Sequence, residues 1–450
     1  MITVDFGEKT GKILKPVNGI SNGPICNSMD MSSDYAELGI PYVRLHDTEG
    51  NLSRTMVDIS RIFSNFDADE EDPENYLFHH TDELLLAIHK LGAGTIYRLG
   101  ESIDHSIYKR YARAPKDFDK WARICRNIIR HYNEGWANGF QLGIEFWEIW
   151  NETDLLREDR AVDPMWSESD PYAYFDLYII TSKLLKKEFP EIKIGGYAAA
   201  ELISPKRYDY FIAFLDKIKT ENAPLDFFSW HSYTENMERI PKNANIVRGE
   251  LDKRGFNKTI SILDEWNCVI IESSPVSFWS VWLKSDIESR KLRKEGHDNQ
   301  KNMIGASFVA AQFIIMNDLP IEIAAYYDGQ PFMNWCGLWD SFGIPQKTFY
   351  TFKAYGELYK SNRERVLVDG STDGIFSIAN KSMVMLANFR GGGDYELVLK
   401  NPPEGCKKTE IYILDDNSDL ALLRSEELKG ETTPVKLQLG KHTVILIKLV

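Results

Sequence analysis

The chain has 450 residues, 43% hydrophobic and 27% charged, which is more than one ordinary core requires and the balance of a soluble globular protein. Its 53 basic and 67 acidic residues leave a formal charge of −14, which argues against a nucleic-acid partner. Five cysteines, an odd number with no CxxC, exclude a disulfide framework, and the longest apolar run, Ile304 to Met316, is too short to span a membrane.

The opening residues, Met1 to Phe6, lack a basic stretch followed by an apolar one, so a cytoplasmic location is expected. Residues 1–15 read as strands that join a C-terminal β-sandwich. From 16 to 360, short apolar strands alternate with amphipathic helices. Strands are predicted near Val17–Ser21 and at Tyr42–His46, Gly94–Leu99, Phe146–Asn151, Lys193–Tyr197, Phe227–Tyr233, Thr259–Glu265 and Ile321–Tyr327. Thr81 is expected to cap a helix that carries Leu84, Leu85 and Ile88 and stops at Gly92. Further helical stripes run through Phe118, Trp121, Cys125, Ile128 and Tyr132, through Tyr208, Phe211, Leu215 and Ile218, and through Phe349, Phe352, Tyr355 and Tyr359. Eight strands alternating with helices predict an α/β fold, a closed parallel (β/α)8 or TIM barrel. From 361 to 450 the strands are short and separated by turn residues, as at Arg390-Gly391-Gly392-Gly393-Asp394. They are expected at Gly374–Ala379, Met383–Asn388, Tyr395–Leu399, Glu410–Leu414, Val435–Leu439 and Thr443–Leu449, as an accessory antiparallel β-sandwich.

Two segments carry the chemistry, Trp147-Glu148-Ile149-Trp150-Asn151-Glu152 and Ile262-Leu263-Asp264-Glu265-Trp266-Asn267. Each is an apolar run that ends in a carboxylate beside an aromatic and an asparagine. In parallel barrels the active site lies at the C-terminal ends of the strands. Arg44 and His46 end the second predicted strand, Asn151 and Glu152 the fourth, His231 and Tyr233 the sixth, and Glu265 the seventh; Asp328 follows the eighth. Glu152 and Glu265 can face each other across such a barrel, and a carboxylate pair about 5–5.5 Å apart is the machinery of retaining glycoside hydrolysis. An aromatic share of 12% suits a carbohydrate substrate, although most of these rings will fill the core. Trp335 and Trp339 after the eighth strand are candidates to floor the site, and Trp166 after Glu152 is another sugar-stacking candidate. Cys268 to about Asn302 is an insertion with Phe278, Trp279, Trp282 and the charged run Glu288–Asn299, readable as a lid, a subsite wall or a homo-oligomer contact. No phosphate-binding glycine loop and no HExxH appears, so neither a cofactor nor a metal is expected.

The Trp-Asn-Glu at 150–152 with the Glu-Trp-Asn at 265–267 resembles the retaining glycosidases of clan A. Within them the chain is most similar to glycoside hydrolase family 39, the β-xylosidase and α-L-iduronidase family. Tyr42-Val43-Arg44-Leu45-His46, Arg130-His131-Tyr132, Lys193-Ile194-Gly195-Gly196 and Leu225–Tyr233 carry that likeness. The resemblance implies that Glu152 is the acid/base and Glu265 the nucleophile. It also implies that Asn151 binds the sugar 2-hydroxyl, Tyr233 holds the nucleophile, His231 lines the sugar site, Arg44 orients the carboxylates and His46 contacts the glycone. One departure is Thr153, where the family usually has proline. The expected activity is double displacement on small plant-derived glycosides or oligosaccharides, with β-xylosides first. Arabinose- or galactose-type glycosides, or a catalytically silent carbohydrate-binding barrel, are the alternatives. No cationic cluster beyond Arg44 is legible at the strand ends, so neutral pentosides are expected over uronides.

Overall fold

The computed structural model describes residues 2–26, 29–49, 56–102, 112–155, 166, 170–370 and 374–450. Eight parallel strands close a barrel in which each strand pairs with the next in sequence and the last with the first. They are β1 (Gly19–Ser21), β2 (Tyr42–Leu45), β3 (Gly94–Leu99), β4 (Phe146–Ile149), β5 (Lys193–Ala199), β6 (Phe227–Thr234), β7 (Ile260–Cys268) and β8 (Ile323–Tyr326).

The barrel interior follows from the two-residue period of a strand. Near the N-terminal ends, Ile96, Phe146, Phe227, Ile262 and Ile323 form a separate buried cluster with Tyr42 and Ile260 beside it. Two residues further along four of these strands, the next inward side chains are charged: Arg44, Arg98, Glu148 and Asp264, all fully buried. An apolar plug thus carries a charged layer above it, and the layers of a parallel barrel become the floor and the base of a site.

Amphipathic helices cover the outside. Phe118–Asn133 buries Trp121, Cys125, Ile128 and Tyr132, Pro205–Thr220 buries Phe211, Leu215 and Ile218, and Lys347–Ser361 buries Phe349, Phe352 and Tyr355. One cap is placed differently from the expectation. The helix His79–Lys90 begins before Thr81, whose buried hydroxyl instead donates to the Met56 carbonyl at 2.5 Å. Among the described residues, no helix is long and apolar enough to cross a membrane.

The strand Ile2–Ile13 lies between Glu364–Asp369 and Gly393–Lys400, and Thr432–Leu439 completes that four-stranded sheet. A five-stranded sheet runs Ile375–Ala379, Met383–Asn388, Thr443–Leu449, Lys408–Leu414 and Ala421–Glu427. Ile2, Val4, Leu397, Leu399, Val435, Ile445 and Ile447 pack between the two sheets. Pairing is antiparallel except between Ile2–Ile13 and Gly393–Lys400, which run parallel. Glu364–Asp369 and Ala421–Glu427 carry no sequence expectation. Ala421–Glu427 lies at a sheet edge and is mostly exposed, so it lacks the apolar alternation that marks a strand.

Close packing around the plug gives a test. A Cβ on Gly195 would meet the Phe227 carbonyl oxygen at 2.2 Å and the Phe227 ring at 2.5 Å. Gly195→Ala is therefore expected to overpack β5 against β6 and to cost about 1–3 kcal/mol. Thermal unfolding followed by circular dichroism should register a lower midpoint; an unchanged midpoint would mean that the barrel is looser here than its geometry implies.

Candidate active site

The two glutamates reach the barrel axis by different local routes. β4 ends at Ile149 rather than at Asn151 as expected. Trp150 and Glu152 then adopt left-handed backbone, with φ of 70° and 51°, conformations that non-glycine residues rarely hold without support. The support comes from β5, where the Tyr197 and Ala198 carbonyls accept the Glu152 N–H at 3.0 and 3.1 Å. Thr153, in place of the usual proline, accepts a hydrogen bond from the Tyr210 hydroxyl at 3.1 Å. β7 continues past Glu265 to Cys268, and its register against β6 slips between Leu263 and Glu265. That slip lets consecutive residues, Asp264 and Glu265, both turn toward Arg44.

Arg44 organises what lies below. Its guanidinium is fully buried. It donates to Glu148 Oε2 through Nε at 2.9 Å and Nη2 at 2.6 Å, to Asn151 Oδ1 at 2.7 Å, and to Glu265 Oε1 at 2.5 Å. Asp264 Oδ2 stands 3.2 Å from Nη2. The other Glu265 oxygen accepts from the Tyr233 hydroxyl at 2.6 Å. His231 Nδ1 lies 2.9 Å from Glu152 Oε1 and 3.3 Å from Glu265 Oε2, and its Nε2 is 3.7 Å from Asp264. One oxygen of Glu152, one of Glu265 and a ring nitrogen of His231 all lie within 4.8 Å of one another. A metal ion could use that spacing; here the positive charge between the carboxylates is His231 itself.

The electrostatics are those of a crowded, buried cluster. Burial opposes charge on His231, but Glu265 and Asp264 outweigh it and hold the imidazole well above its ordinary range, protonated. Burial raises Glu148 to about 8, against the pull of Arg44 and with help from Asp264. For Asp264 burial is again the largest influence, yet Arg44 and His231 together leave it below the usual carboxylate value. Burial lifts Glu265 above its ordinary value, while His231, Arg44 and the Tyr233 hydroxyl favour its ionised form. Neither Glu148 Oε1 nor either Asp264 oxygen has a hydrogen-bond partner among the described residues. A proton on Glu148 supplies that missing donor. The layer then balances, with Arg44 and His231 positive and Asp264 and Glu265 negative.

The other sequence candidates fall in several places. Asn151 is buried, and its Nδ2 has no protein partner among the described residues. His46 is buried, accepts from Arg98 Nε at 3.2 Å through Nδ1, and directs Nε2 to Asp47 at 3.4 Å. Burial and the charges of Arg44 and Arg98 keep it neutral. Asp328 spends its carboxylate on Gln330, accepting from the backbone N–H at 2.5 Å and Nε2 at 3.1 Å, and so shapes the loop after β8. Half-buried Trp335 packs against Tyr233, with ring centroids 4.9 Å apart, among Phe278, Trp279 and Trp282. Two tryptophans prove to be core. Trp166 packs behind Trp150 at 5.2 Å, and Trp339 is buried, stacks on Tyr35 and donates to Asp34.

Sequence reasoning missed Glu148 and Asp264 as site residues, although both lie inside the segments it singled out. The signal was present: each follows an inward apolar residue, Phe146 or Ile262, by two positions. It also missed Arg98, a second cation at a strand end. That cation is already matched by Asp58 at 2.5 Å, with Ser102 at 3.1 Å.

Beside these residues opens a cleft of about 560 Å³. Glu152, His231 and Tyr233 form one end of it. Trp279 and Trp282, from the insertion after β7, stand on its wall, and Arg207 and Arg239 line it as well. The insertion holds two helices, Phe278–Val281 and Ile287–Asn299; Trp279 and Trp282 face the cleft, while the charged run forms a helix that buries Ser289, Leu292, Gly296 and Asn299 and exposes its other face.

Comparison with known proteins adds an independent line. Residues 30–259 match the model of "Glycosyl hydrolases family 39". The chain is 25% identical over 406 residues to a β-xylosidase of Caldicellulosiruptor saccharolyticus, covering 82% of this chain and 73% of that protein. Its fold is similar to that of a glucosidase from Croceicoccus marinus, with a TM-score of 0.80 at 20% identity, covering 100% of this chain and 98% of the other. A monomeric β-xylosidase from Caulobacter crescentus gives a TM-score of 0.71 at 16% identity, with 100% and 99% covered.

The shared proton makes a testable pH dependence. Glu148 binds its proton up to about 8 when folded, against an ordinary value of 4.5, so the folded chain holds a proton that the unfolded chain releases. The associated stability is complete below 4.5 and is lost as pH rises through about 8. Protonated His231 works in the same direction above 6.5. The thermal midpoint is expected to fall across this window. Glu148→Gln, which keeps an acceptor for Arg44 and a donor for Asp264, should flatten that fall. A slope equal to wild type would place the proton elsewhere.

Proposed function

The chain belongs to the glycosyl hydrolases family 39, and from that membership together with the site geometry we propose a β-xylosidase that works with retention by double displacement. The observation that carries this reading is the pair Glu152 and Glu265. Their oxygens approach within 4.8 Å, close enough for direct attack with no room for an intervening water on the far side of the sugar.

In the first step a Glu265 oxygen attacks the anomeric carbon while Glu152 gives its proton to the departing glycosidic oxygen. The bond to the leaving group breaks, and a covalent glycosyl–Glu265 ester remains. In the second step Glu152, now a carboxylate, takes a proton from water. The resulting hydroxide oxygen attacks the same carbon and releases Glu265. Arg44 at 2.5 Å and Tyr233 at 2.6 Å hold the nucleophile ionised and aimed. His231, bridging the two carboxyls, favours negative charge on each as it develops. Asn151 is fixed through Oδ1, which leaves Nδ2 to donate to the sugar 2-hydroxyl.

The neutral glycone follows from the charges. Arg44 is surrounded by acceptors and the charge of Arg98 is balanced by Asp58, although Arg98 Nη1 keeps one unpartnered donor among the described residues, so the site offers no unbalanced cation to a uronic carboxylate here. The β-xylosidases among the similar proteins support xylose as that glycone, and small plant-derived xylosides as the substrates. A silent carbohydrate-binding barrel would have no need of the buried charge balance around Glu265.

Glu152→Ala tests acid role, glycone and stereochemistry together. On nitrophenyl β-xyloside, whose leaving group needs little protonation, the variant should retain much of its first step. Added azide should restore turnover and yield β-xylosyl azide, the anomer of the starting glycoside. Parallel arabinoside, galactoside and glucoside assays rank the glycone, with xyloside expected first. An α-azide, or no azide product, would rule out the assigned double displacement; a different sugar in first place would overturn the xylosidase reading alone.

A further inference from the structure

Beyond Glu152, His231 and Tyr233, the cleft is lined by residues that the chemistry above does not use. Glu152 forms its end, whereas Glu265, Arg44, Asn151 and His46 are not among its lining residues. If Glu152 is the acid, as proposed, the group that it protonates departs on this side, so the cleft holds the leaving group. Its volume of about 560 Å³ is that of a ligand pocket and exceeds what one pentose ring fills.

Its walls differ in character. On one side stand Trp279, 46% exposed, and Trp282, with exposed Leu283 beyond them. Trp279 is steadied by Tyr233 and Trp335 at 6.1 and 6.2 Å between ring centroids. The cleft is also lined by Arg207 and Arg239, at the start of helices Pro205–Thr220 and Arg239–Lys253. Among the described residues, the carboxylate within salt-bridge reach of both is Glu201, 3.5 Å from Arg207 and 4.0 Å from Arg239. Glu201 is already occupied by the backbone N–H groups of Ile203 at 2.6 Å and Ser204 at 3.1 Å. Arg207 Nε is buried with no partner among the described residues. Buried Asp154, beside Arg207, accepts from the Ala200 and Glu201 N–H groups, and burial pushes it up to about 7. The remaining acid, Glu235, is exposed at the edge. Among the described residues, the two guanidinium groups therefore keep donors in hand, and a planar, two-oxygen anion is the ligand that suits them.

We propose that this cleft is an aglycone subsite for leaving groups that combine a flat apolar face with a carboxylate, the face packing on Trp279 and Trp282 and the carboxylate pairing with Arg207 and Arg239. Two sources share that chemistry, an aromatic acid and a uronic acid. This inference rests on the acid role proposed for Glu152, and it is separable from the identity of the glycone.

The test holds the sugar constant and changes one charge. 4-Carboxyphenyl β-xyloside is compared with its neutral 4-carbamoylphenyl counterpart, and a xylosyl-uronic acid with xylobiose. Each pair is assayed with wild type, Arg239→Gln and the Arg207→Gln/Arg239→Gln double variant. In the double variant the acid-to-neutral ratio of kcat/KM should fall about tenfold or more, the scale of hydrogen bonds to a charged group. Half-exposed Arg239 can be replaced alone with little risk to folding, and the ratio should already fall there. Trp279→Ala should lower both members of a pair. The pair that responds identifies the source of the carboxylate. An unchanged ratio in both pairs overturns the proposal. Should wild type cleave no xyloside, the glycone reading fails instead. Titration calorimetry with free 4-hydroxybenzoate and 4-hydroxybenzamide then decides the subsite: the acid must bind more tightly in wild type and lose that advantage in the double variant, and equal binding in wild type overturns the proposal.

Discussion

A guanidinium with no exposure to water sits at the centre of this protein, and the site is arranged around its needs. Arg44 cannot lose its proton, so its burial demands acceptors on every side. β4 supplies Glu148 and, just beyond its end, Asn151; β7 supplies Asp264 and Glu265. Three carboxylates around one arginine would leave excess negative charge in a low-dielectric interior. The excess is removed by protonation of Glu148, raised to about 8, and by the charge on His231. Removing one partner from a buried pair of this kind costs about 3–5 kcal/mol, because the other charge is left stranded. The same constraint prepares the chemistry, since Glu265 is held by fixed donors before any substrate arrives.

The barrel makes this economical in sequence. Four strands, β2, β3, β4 and β7, give one apolar side chain to the plug or its edge and, two residues later, one charged side chain to the layer above. The site then divides by strand. Arg98 and His46 stand over β2 and β3, on the side where the proposed glycone lies. The cleft beyond Glu152 opens over the ends of β5, β6 and β7. Under the acid role proposed for Glu152, the insertion after β7 is placed to touch the leaving group rather than the sugar that is attacked. Its aromatics share one cluster with Tyr233, which holds Glu265. In the proposed reading, leaving-group contacts and nucleophile alignment therefore meet at Tyr233.

Much of the fold was legible because alternation between strand and helix is a long-range pattern that many residues repeat. The strand-end positions of Arg44, Glu152, His231, Tyr233 and Glu265 were legible for the same reason, since polar residues that close apolar runs are conspicuous. What escaped depended on local detail. The register slip in β7 leaves no mark in composition, so Asp264 was not recognised as a second inward acid. Trp166 and Trp339 look like platform tryptophans in sequence; only packing reveals that Trp150 and Tyr35 cover them. Thr81 has the chemistry of a helix cap but is used to hold the Met56 carbonyl. Arg98 was overlooked because its partner, Asp58, is 40 residues away, in a segment with no strand pattern. The edge strand Ala421–Glu427 was missed because it buries almost nothing.

In the proposed mechanism Glu265 is the residue that becomes covalently bound to sugar. Incubation with 2-deoxy-2-fluoro-β-D-xylosyl fluoride, followed by peptide mass spectrometry, examines that bond directly. A fluorosugar slows the second step more than it slows loss of a good leaving group, so the ester accumulates. The expected result is one added fluoroxylosyl mass on the peptide that contains Glu265, with fragmentation placing it on that side chain, in parallel with loss of activity. Inactivation with label on another carboxylate, Glu148 or Asp264 included, would contradict the assignment of the nucleophile and, with it, the part played by Arg44 in holding that nucleophile ionised.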